Sequence, residues 1–311
     1  MAAAKDDYQW TKEKVDRLRK IAALVQSGTK DVVDEEGAWT VLKLLSSFQL
    51  HGTYLPIMCG QRDKGYVDRL FYIDLNAGSG LVHVEGTQAL VPGTALIGAN
   101  VHRVHEHESY DYDYDHYIFV EPIEKKAEAL EQRLLEWLPK DKFTLIRKGA
   151  DDAVPMILSM LTKRDHYLCT FDPYGFEQGT WNGYGKLIAN TARGDMFINF
   201  QTTSVKRTSE QNRKNFFGPN YPGDYLDRSE DEILQSFRRD ILGPNRAVVE
   251  DVRIKGGDGF RYYYDMVYAV AQTGGGARFM KAFRDLERRV AKLTGDDIKG
   301  MLSNQGLDKW S

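Results

Sequence analysis

The sequence predicts an α/β fold built on a seven-stranded sheet that is mostly parallel, with an antiparallel last strand, N-terminal helices and a C-terminal helical tail. Between residues 68 and 271, short apolar runs alternate with amphipathic stretches at helical spacing, which indicates a doubly wound parallel sheet. Several of the apolar runs end in acids. The last two runs, 247–254 and 262–272, are expected to pair like a hairpin and to supply the antiparallel strand.

The elements can be followed in order along the chain. Residues 8–26 and 37–50 carry apolar side chains at helical spacing and predict two N-terminal helices, the second closed by His51 and Gly52. The core strands are expected near 69–75, 115–121, 143–147, 166–171 and 195–200, and its helices near 93–102, 123–138, 152–163 and 181–192.

These elements divide the chain into three parts. An N-terminal helical segment covers residues 1–60, and the sheet-forming core covers 61–273. A polar insertion near 202–246 interrupts the core, and an extension over 274–311 is expected to be helical at 277–293.

Composition narrows the class of protein. A chain of 311 residues can bury a full core, and 42% hydrophobic with 28% charged residues is ordinary for a soluble protein. No apolar stretch approaches the roughly 20 residues of a membrane span, and the N-terminus lacks a secretory signal. The two cysteines, Cys59 and Cys169, show no ligand spacing, which fits a reducing cytoplasm. The net charge of −3 gives no general attraction to nucleic acid.

A glycine loop follows the first core strand. The strand ends at Asp74 and continues into Asn76, Gly78 and Gly80, where glycines let the backbone turn sharply and approach a ligand. A dinucleotide site would need a further glycine and a helix that starts inside the loop. Here the next helix is expected only near residue 93. No helix N-terminus would therefore follow the loop directly, where a pyrophosphate would need one. S-adenosylmethionine has no pyrophosphate, and it is the cofactor that we expect at Asp74, Asn76, Gly78 and Gly80.

Acids at the other strand ends extend this cofactor site. Asp74 is placed to receive the methionine ammonium, directly or through water, or to cap the next turn. Glu121 is expected to accept both ribose hydroxyls, although it also suits the N-terminus of the following helix. Asp151 and Asp152 are candidates for the adenine amino group, and equally for acids in the first turn of a helix.

Residues 171–175, at the end of the fourth core strand, are the candidate catalytic segment. Methyltransferases that act on exocyclic amines carry an acid, two prolines and an aromatic residue there. This chain has Asp172, Pro173 and Tyr174, with the second proline replaced. The acid would orient an amine and the ring would stack on a planar acceptor, but the same residues are also common in a plain turn.

Two polar segments offer other chemistry. His102, His105, His107 and His116 lie among acids, but their spacing is not that of a helical zinc site, so we expect a solvated loop and no metal. The insertion carries basic residues together with aromatic ones, a combination that can hold phosphates and stack bases or form an ordinary mobile loop. The candidate substrate-binding residues there are Lys206, Arg207, Arg213 and Lys214.

The chain resembles the three-Cys-motif partner family of methyltransferases from bacteria, archaea and phages. The resemblance covers roughly residues 37–280. It rests on Lys43, the loop 72–80, the segment 92–96, the strand end 119–121, residues 171–175, Trp181 and the tyrosines 262–264. It implies a Rossmann-like methyltransferase sheet, S-adenosylmethionine and a three-Cys-motif protein as partner. Asn76 departs from the family's usual aromatic residue, and Asp151 with Asp152 departs from its Asp-x-Asn.

Three functions follow as hypotheses. The first is an S-adenosylmethionine-dependent methyltransferase that acts on a nucleobase or another amine, with the acceptor entering over Asp172–Tyr174 and the insertion around 206–221 as the outer wall. The alternative is a non-catalytic methyltransferase-like module that binds a protein partner. A nicotinamide-dependent oxidoreductase is the least favoured, because the glycine loop lacks the further glycine and the helix start that a dinucleotide site needs.

Overall fold

A computed structural model describes residues 2–25, 32–99, 112–190, 193–221, 223–257, 262–271, 280, 283–285 and 288–303. Its main element is a seven-stranded sheet of order β6-β5-β2-β7-β8-β10-β9. Strands β6, β5, β2, β7 and β8 pair in parallel, and β10 runs antiparallel to both β8 and β9. The predicted fold class is therefore confirmed. The strands are β1 Asp34–Glu36, β2 Leu70–Asp74, β3 Leu81–Val84, β4 Leu90–Pro92, β5 His116–Val120, β6 Phe143–Ile146, β7 His166–Phe171, β8 Gly194–Phe200, β9 Val248–Lys255 and β10 Tyr263–Val270.

Helices cover both faces of this sheet. Two of the helical segments, Trp181–Gly185 and Phe237–Leu242, are π-helical. The α-helices are α1 Ala2–Leu24, α2 Thr40–Asp63, α3 Thr94–Ala99, α4 Glu124–Leu135, α5 Ala150–Met160, α6 Lys186–Asn190, α7 Glu210–Phe217, α8 Glu230–Ser236 and α9 Gly295–Leu302.

The strands alternate their side chains between two apolar cores. In β2, Phe71 and Ile73 face the core that contains α5, whereas Tyr72 faces the core that contains α1 and α2. This alternation follows from the two-residue period of a strand. Because every residue of β2 is buried, the strand reads as a continuous apolar run, which is typical of a parallel strand that is covered on both sides.

The second helix is longer than predicted. The expectation that His51 and Gly52 close it is wrong, because α2 continues through Gly52 and Pro56 to Asp63. His51 is fully buried, its Nδ1 lies 2.8 Å from the Tyr114 hydroxyl, and its ring meets Tyr72 edge-on. These contacts outweigh the roughly 1 kcal/mol that an interior glycine costs a helix. The expected boundary near residue 60 falls inside α2.

A second, small sheet was not predicted. Strand β1 pairs in parallel with β3, which pairs antiparallel with β4. The register sets Asp34 beside Val82 and Glu36 beside Val84. Through this pairing, an acidic segment that precedes the core in sequence is brought next to the glycine loop.

The insertion packs on the sheet. Its aromatic side chains Phe216, Phe217, Tyr225 and Phe237 are buried in the same core as α5. The alternative of an ordinary mobile loop therefore does not describe these residues. The C-terminal extension contains α9. Within the helix expected over 277–293, residues 280, 283–285 and 288–290 are helical, and residues 277–279, 281–282 and 286–287 lie outside the described ranges.

Candidate functional site

The strand order reverses between β2 and β7. The chain places β5 and β6 on one side of β2 and then returns to β7 on the other side. In doubly wound sheets, ligands bind beyond the carboxyl ends of the strands at this reversal. Here β2 ends at Asp74 and β7 at Phe171, so the two segments that the sequence analysis selected follow neighbouring strands.

The loop after β2 needs its glycines. Gly78 and Gly80 have φ angles of 61° and 87°, in the left-handed region that favours glycine. A Cβ added to Gly78 would lie 2.6 Å from Asp34 Oδ2, and one added to Gly80 would lie 2.9 Å from Leu130 Cδ1. Neither position accepts a side chain without rearrangement.

Charged side chains hold the centre of this loop. The Ser79 N–H donates to Asp34 Oδ2 at 2.7 Å, and Arg133 Nη1 donates to the Ser79 carbonyl at 2.6 Å. Asp34 Oδ1 also lies 2.7 Å from Lys126 Nζ. Arg133 is fully buried, and burial lowers the pKa of its guanidinium to about 10. The N–H and the carbonyl of Ser79, which belong to two successive peptide units, are thus both held by side chains from outside the loop.

Asp74 lies beneath the loop. Its side chain is fully buried and accepts hydrogen bonds from the Asn76 N–H at 3.1 Å, from Thr94 Oγ1 at 2.7 Å and from the Tyr72 hydroxyl at 3.1 Å. Burial raises the pKa of Asp74 to about 6, against the opposing effect of these donors. In this arrangement Asp74 orders the loop. Its bond to the Asn76 N–H corresponds to the expected cap of the next turn, and Asp74 does not line the cavity described next.

A cavity of about 510 Å³ opens at the reversal of strand order. This volume lies within the range of small-molecule sites. The cavity unites residues that follow β2, β5, the N-terminus of α5 and β7. Its principal polar and glycine residues are Asp34, Glu36, Lys43, Asn76, Gly78, Gly80, Thr94, Glu121, Lys126, Asp151, Asp172, Tyr174, Glu177 and Gln178.

Glu121 borders the cavity just after β5. Its side chain is nearly buried, and its Oε1 accepts the Ile123 N–H at 2.8 Å. Burial raises the pKa of Glu121, while the Ile123 N–H and Lys126 act in the opposite direction. A carboxylate held in this way can still accept hydrogen bonds from a ligand, since each oxygen has two lone pairs.

The structure separates the two adjacent acids Asp151 and Asp152. Asp151 lines the cavity and accepts a short hydrogen bond from Thr180 on Oδ2. Its Oδ1 is buried and has no hydrogen-bond partner among the described residues. Asp152 is exposed on α5 and is absent from the cavity lining. Asp151 Oδ1 packs against Gly183, since a Cβ added to that glycine would lie only 2.4 Å from this oxygen.

Asp172 is held by two other side chains. Its Oδ2 lies 2.6 Å from Lys43 Nζ, and its Oδ1 accepts from Asn199 Nδ2 at 2.8 Å. Lys43 Nζ also lies 3.0 Å from Glu36 Oε2. Burial by itself would lower the pKa of Lys43, but Asp172 and Glu36 outweigh it and hold that pKa well above its usual value. Lys43 therefore remains an ammonium group, and neither oxygen of Asp172 is without a donor.

The two residues after Asp172 differ in their surroundings. Pro173 is buried, and its carbonyl accepts from Gln201 Nε2 at 2.6 Å. Tyr174 is 78% exposed at the edge of the cavity, where its N–H donates to Gln178 Oε1. The ring of Tyr174 is accordingly accessible for stacking.

The four basic residues of the insertion lie outside the cavity lining. Arg213 is buried, and its Nη1 donates to the carbonyls of Val205, Lys206 and Thr208. This placement differs from the expected role in meeting phosphates. Lys214 pairs with Glu210 one turn away. Lys206 is half-buried, and Arg207 is exposed.

Other predicted features can be placed briefly. Cys59 and Cys169 are both buried free thiols. No group of three or more His, Cys, Asp or Glu side chains in the described ranges is arranged to hold a metal ion. His102, His105 and His107 lie outside those ranges. No described helix is both long and apolar enough to cross a membrane.

Neither Lys43 nor the acids of β1 were predicted to line the site, although Lys43 is among the residues on which the family resemblance rests. Lys43 is flanked by Leu42 and Leu44 in an apolar helix, and a lysine in such a run is a signal for a buried ion pair. The sequence around Asp34 and Glu36 carries no comparable signal, because only the pairing of β1 with β3 brings these acids to the loop.

The strand order and the antiparallel β10 define the class of this protein as the seven-stranded Rossmann-like methyltransferase fold. No family model and no curated protein matches the sequence. Among solved structures, an rRNA methylase from Streptococcus thermophilus is similar, with 12% identity, a TM-score of 0.37 and coverage of 74% of this chain and 95% of that one. A Corynebacterium glutamicum protein has 11% identity and a TM-score of 0.39, covering 84% and 91%. Since both scores are low, the class rests on the strand order itself.

Proposed function

We propose that this protein binds S-adenosylmethionine in the 510 Å³ cavity and transfers its methyl group to an amine. The observation that carries the proposal is that one cavity is lined by the glycine loop, Glu121 and Asp151. The loop, Glu121 and Asp151 follow β2, β5 and β6, which are neighbours in the sheet. In this order they would contact successive parts of a nucleoside-containing cofactor. When bound, S-adenosylmethionine supplies an electrophilic methyl group, which the nitrogen lone pair takes as the nitrogen loses a proton and S-adenosylhomocysteine remains.

The residues present fit this cofactor. Glu121 offers carboxylate oxygens to a vicinal diol. Asp151, which lines the cavity, offers a carboxylate to an adenine amino group. Gly78 and Gly80 leave the loop without side chains where the methionine portion would lie. Asp74 supports that loop from below through the Asn76 N–H.

The acceptor side of the proposal involves Asp172, Pro173 and Tyr174. The exposed Tyr174 ring suits a planar acceptor such as a nucleobase. The polar lining, however, contains more acids than lysines, and both lysines that line it, Lys43 and Lys126, are paired with acids. This charge balance favours an acceptor whose reacting part carries no phosphate.

A non-catalytic, partner-binding module is the second candidate function. The observation that favours it is that both oxygens of Asp172 already bind protein donors, Lys43 and Asn199. The resemblance to the three-Cys-motif partner family supports a three-Cys-motif protein as that partner. Stable co-purification with such a protein, together with no methyl transfer to nucleic acid, protein or small amines, would support this candidate over the enzyme.

Calorimetric titration with S-adenosylmethionine and S-adenosylhomocysteine tests cofactor binding. Wild-type protein is expected to bind both. The Glu121→Ala variant should bind each ligand about 5- to 150-fold more weakly, because charged hydrogen bonds worth about 1–3 kcal/mol are lost. Absence of heat and of any thermal shift at millimolar ligand would contradict the proposal.

Nucleic acid as the acceptor is tested separately. Of the four candidate basic residues, Lys206, Arg207 and Lys214 reach solvent and are available to meet phosphates. If RNA or DNA crosses the insertion, replacing these three by alanine should flatten the log–log salt dependence of binding by about 2–3 units. Equal slopes for both proteins, or no binding at low salt, would leave a small molecule or a protein side chain as the acceptor.

A further inference from the structure

Of the two lysines that line the cavity, Lys43 is the more deeply buried. Its side chain is 6% exposed, and its ammonium lies between two carboxylates, 2.6 Å from Asp172 and 3.0 Å from Glu36. Glu36 in turn accepts a short hydrogen bond from Thr40. All three charged residues line the cavity. The net charge at the Asp172 end of the cavity therefore depends on a lysine that comes from α2, outside the seven-stranded sheet.

The supports around Asp172 come from two directions. Lys43 binds Oδ2, and Asn199, near the end of β8, binds Oδ1. Gln201, two residues after Asn199, binds the Pro173 carbonyl. The carboxylate and the adjoining turn are therefore restrained on both sides, and the only cation among these supports is Lys43.

We propose that Lys43 is a positioning residue that holds Asp172 at the acceptor end of the cavity and sets the electric charge there. Without Lys43, Glu36 and Asp172 would face each other as two partly buried carboxylates with no cation between them, an unfavourable arrangement. With Lys43 present, the three groups carry one net negative charge. This inference rests on the proposed function, because it concerns the end of the cofactor cavity where the methyl group is transferred.

The proposal predicts a difference between two ligands. S-adenosylmethionine carries a positive sulfonium centre, whereas S-adenosylhomocysteine has a neutral thioether in its place. A change of one charge at this end of the cavity should alter the affinity for the first ligand more than for the second. The ratio of the two affinities therefore reports the local charge. A general loosening of the fold would weaken both ligands together and leave this ratio unchanged.

The experiment measures both dissociation constants by calorimetry for wild type, four variants of Lys43 and Asp172, and one control variant. Lys43→Met should raise the preference for S-adenosylmethionine over S-adenosylhomocysteine by at least about threefold, and Asp172→Asn should lower it by a similar factor. The double variant Lys43→Met/Asp172→Asn restores the net charge and should return the ratio to that of wild type. Lys43→Arg keeps the charge and should keep the ratio.

Lys126→Met is the matched control. Lys126 also lines the cavity and is also ion-paired, but its partner is Asp34 beside the glycine loop. It should change the two affinities by similar factors. If Lys43→Met does not fold, the comparison of Asp172→Asn with the double variant decides the same question. Binding of both ligands with one ratio in every folded variant would overturn this inference. Failure of wild type to bind either ligand would instead overturn the proposed function.

Discussion

The backbone N–H of Ser79 donates to the Asp34 carboxylate at 2.7 Å, so a strand outside the main sheet holds the glycine loop. Asp34 lies in β1, which pairs with β3 immediately after the loop. The parallel pairing of β1 with β3 therefore ties the glycine loop to a segment that precedes the main sheet in the chain. This relationship gives an acid outside the main sheet a direct effect on the shape of the cavity.

Replacing Asp34 by alanine should destabilise the protein. The change leaves the Ser79 N–H and Lys126 without their partner, and the unfolding free energy should fall by about 1–2 kcal/mol. Urea denaturation measures the loss. The neighbouring Glu35 has a side chain that is 73% exposed, so Glu35→Ala is the control and should leave the urea midpoint unchanged. Equal midpoints for the two variants would show that the Asp34 contact contributes nothing.

The ionisation of Asp74 should make stability depend on pH. Burial raises the pKa of Asp74 from 3.8 in the unfolded chain to about 6 in the folded protein. The folded state therefore binds this proton more tightly, and the resulting stabilisation is full below pH 4 and is lost as pH rises through 6. The loss amounts to about 3 kcal/mol.

The Asp74→Asn variant isolates this contribution. It cannot ionise, so the unfolding free energy of wild type minus that of the variant should fall as pH rises from 4 to 7. Urea unfolding of both proteins at a series of pH values measures the difference. A difference that stays constant, or that rises with pH, would contradict burial as the dominant influence on Asp74.

The adjacent acids Asp151 and Asp152 should differ in their effect on cofactor binding. Asp151→Asn removes the negative charge of a carboxylate that lines the cavity and should weaken S-adenosylhomocysteine binding by about tenfold, as expected when a hydrogen bond to a charged group is lost. Asp152→Asn removes the same charge one residue away on an exposed side chain and should have no effect. Titration calorimetry distinguishes them. Equal weakening by both variants would point to general electrostatics in place of a specific contact.

Arg213 is expected to contribute to stability. Arg213→Ala removes a buried guanidinium that donates to three carbonyls, and the unfolding free energy should fall by about 2–4 kcal/mol. Lys214→Ala, the next residue on the exposed side of α7, should leave the urea midpoint unchanged. A destabilised Lys214 variant together with an unaffected Arg213 variant would reverse the roles that the structure indicates.

The sequence by itself determined the class of sheet and the sequence order of its ligand-facing ends. Buried parallel strands produce continuous apolar runs, and their last residues must change to polar or glycine where the chain leaves the core. Asp74, Glu121 and Asp172 could be recognised in the sequence for this reason, because the change from apolar to polar residues at a strand end is a local pattern. The hairpin of β9 and β10 was visible because two strand-like runs follow each other closely at the end of the core.

The tertiary structure alone decided which of these groups face the cavity and what holds them. Lys43 reaches Asp172, and Asp34 reaches Ser79, across long separations in sequence, which no local pattern encodes. Nothing in the sequence distinguishes Asp151 from Asp152. Only the orientation of α5 places Asp151 at the cavity and leaves Asp152 exposed. Likewise Gly52 predicts the end of a helix, but the packing of His51 against Tyr72 continues it. Local propensity is worth about 1 kcal/mol per residue, and burial in a shared core outweighs it.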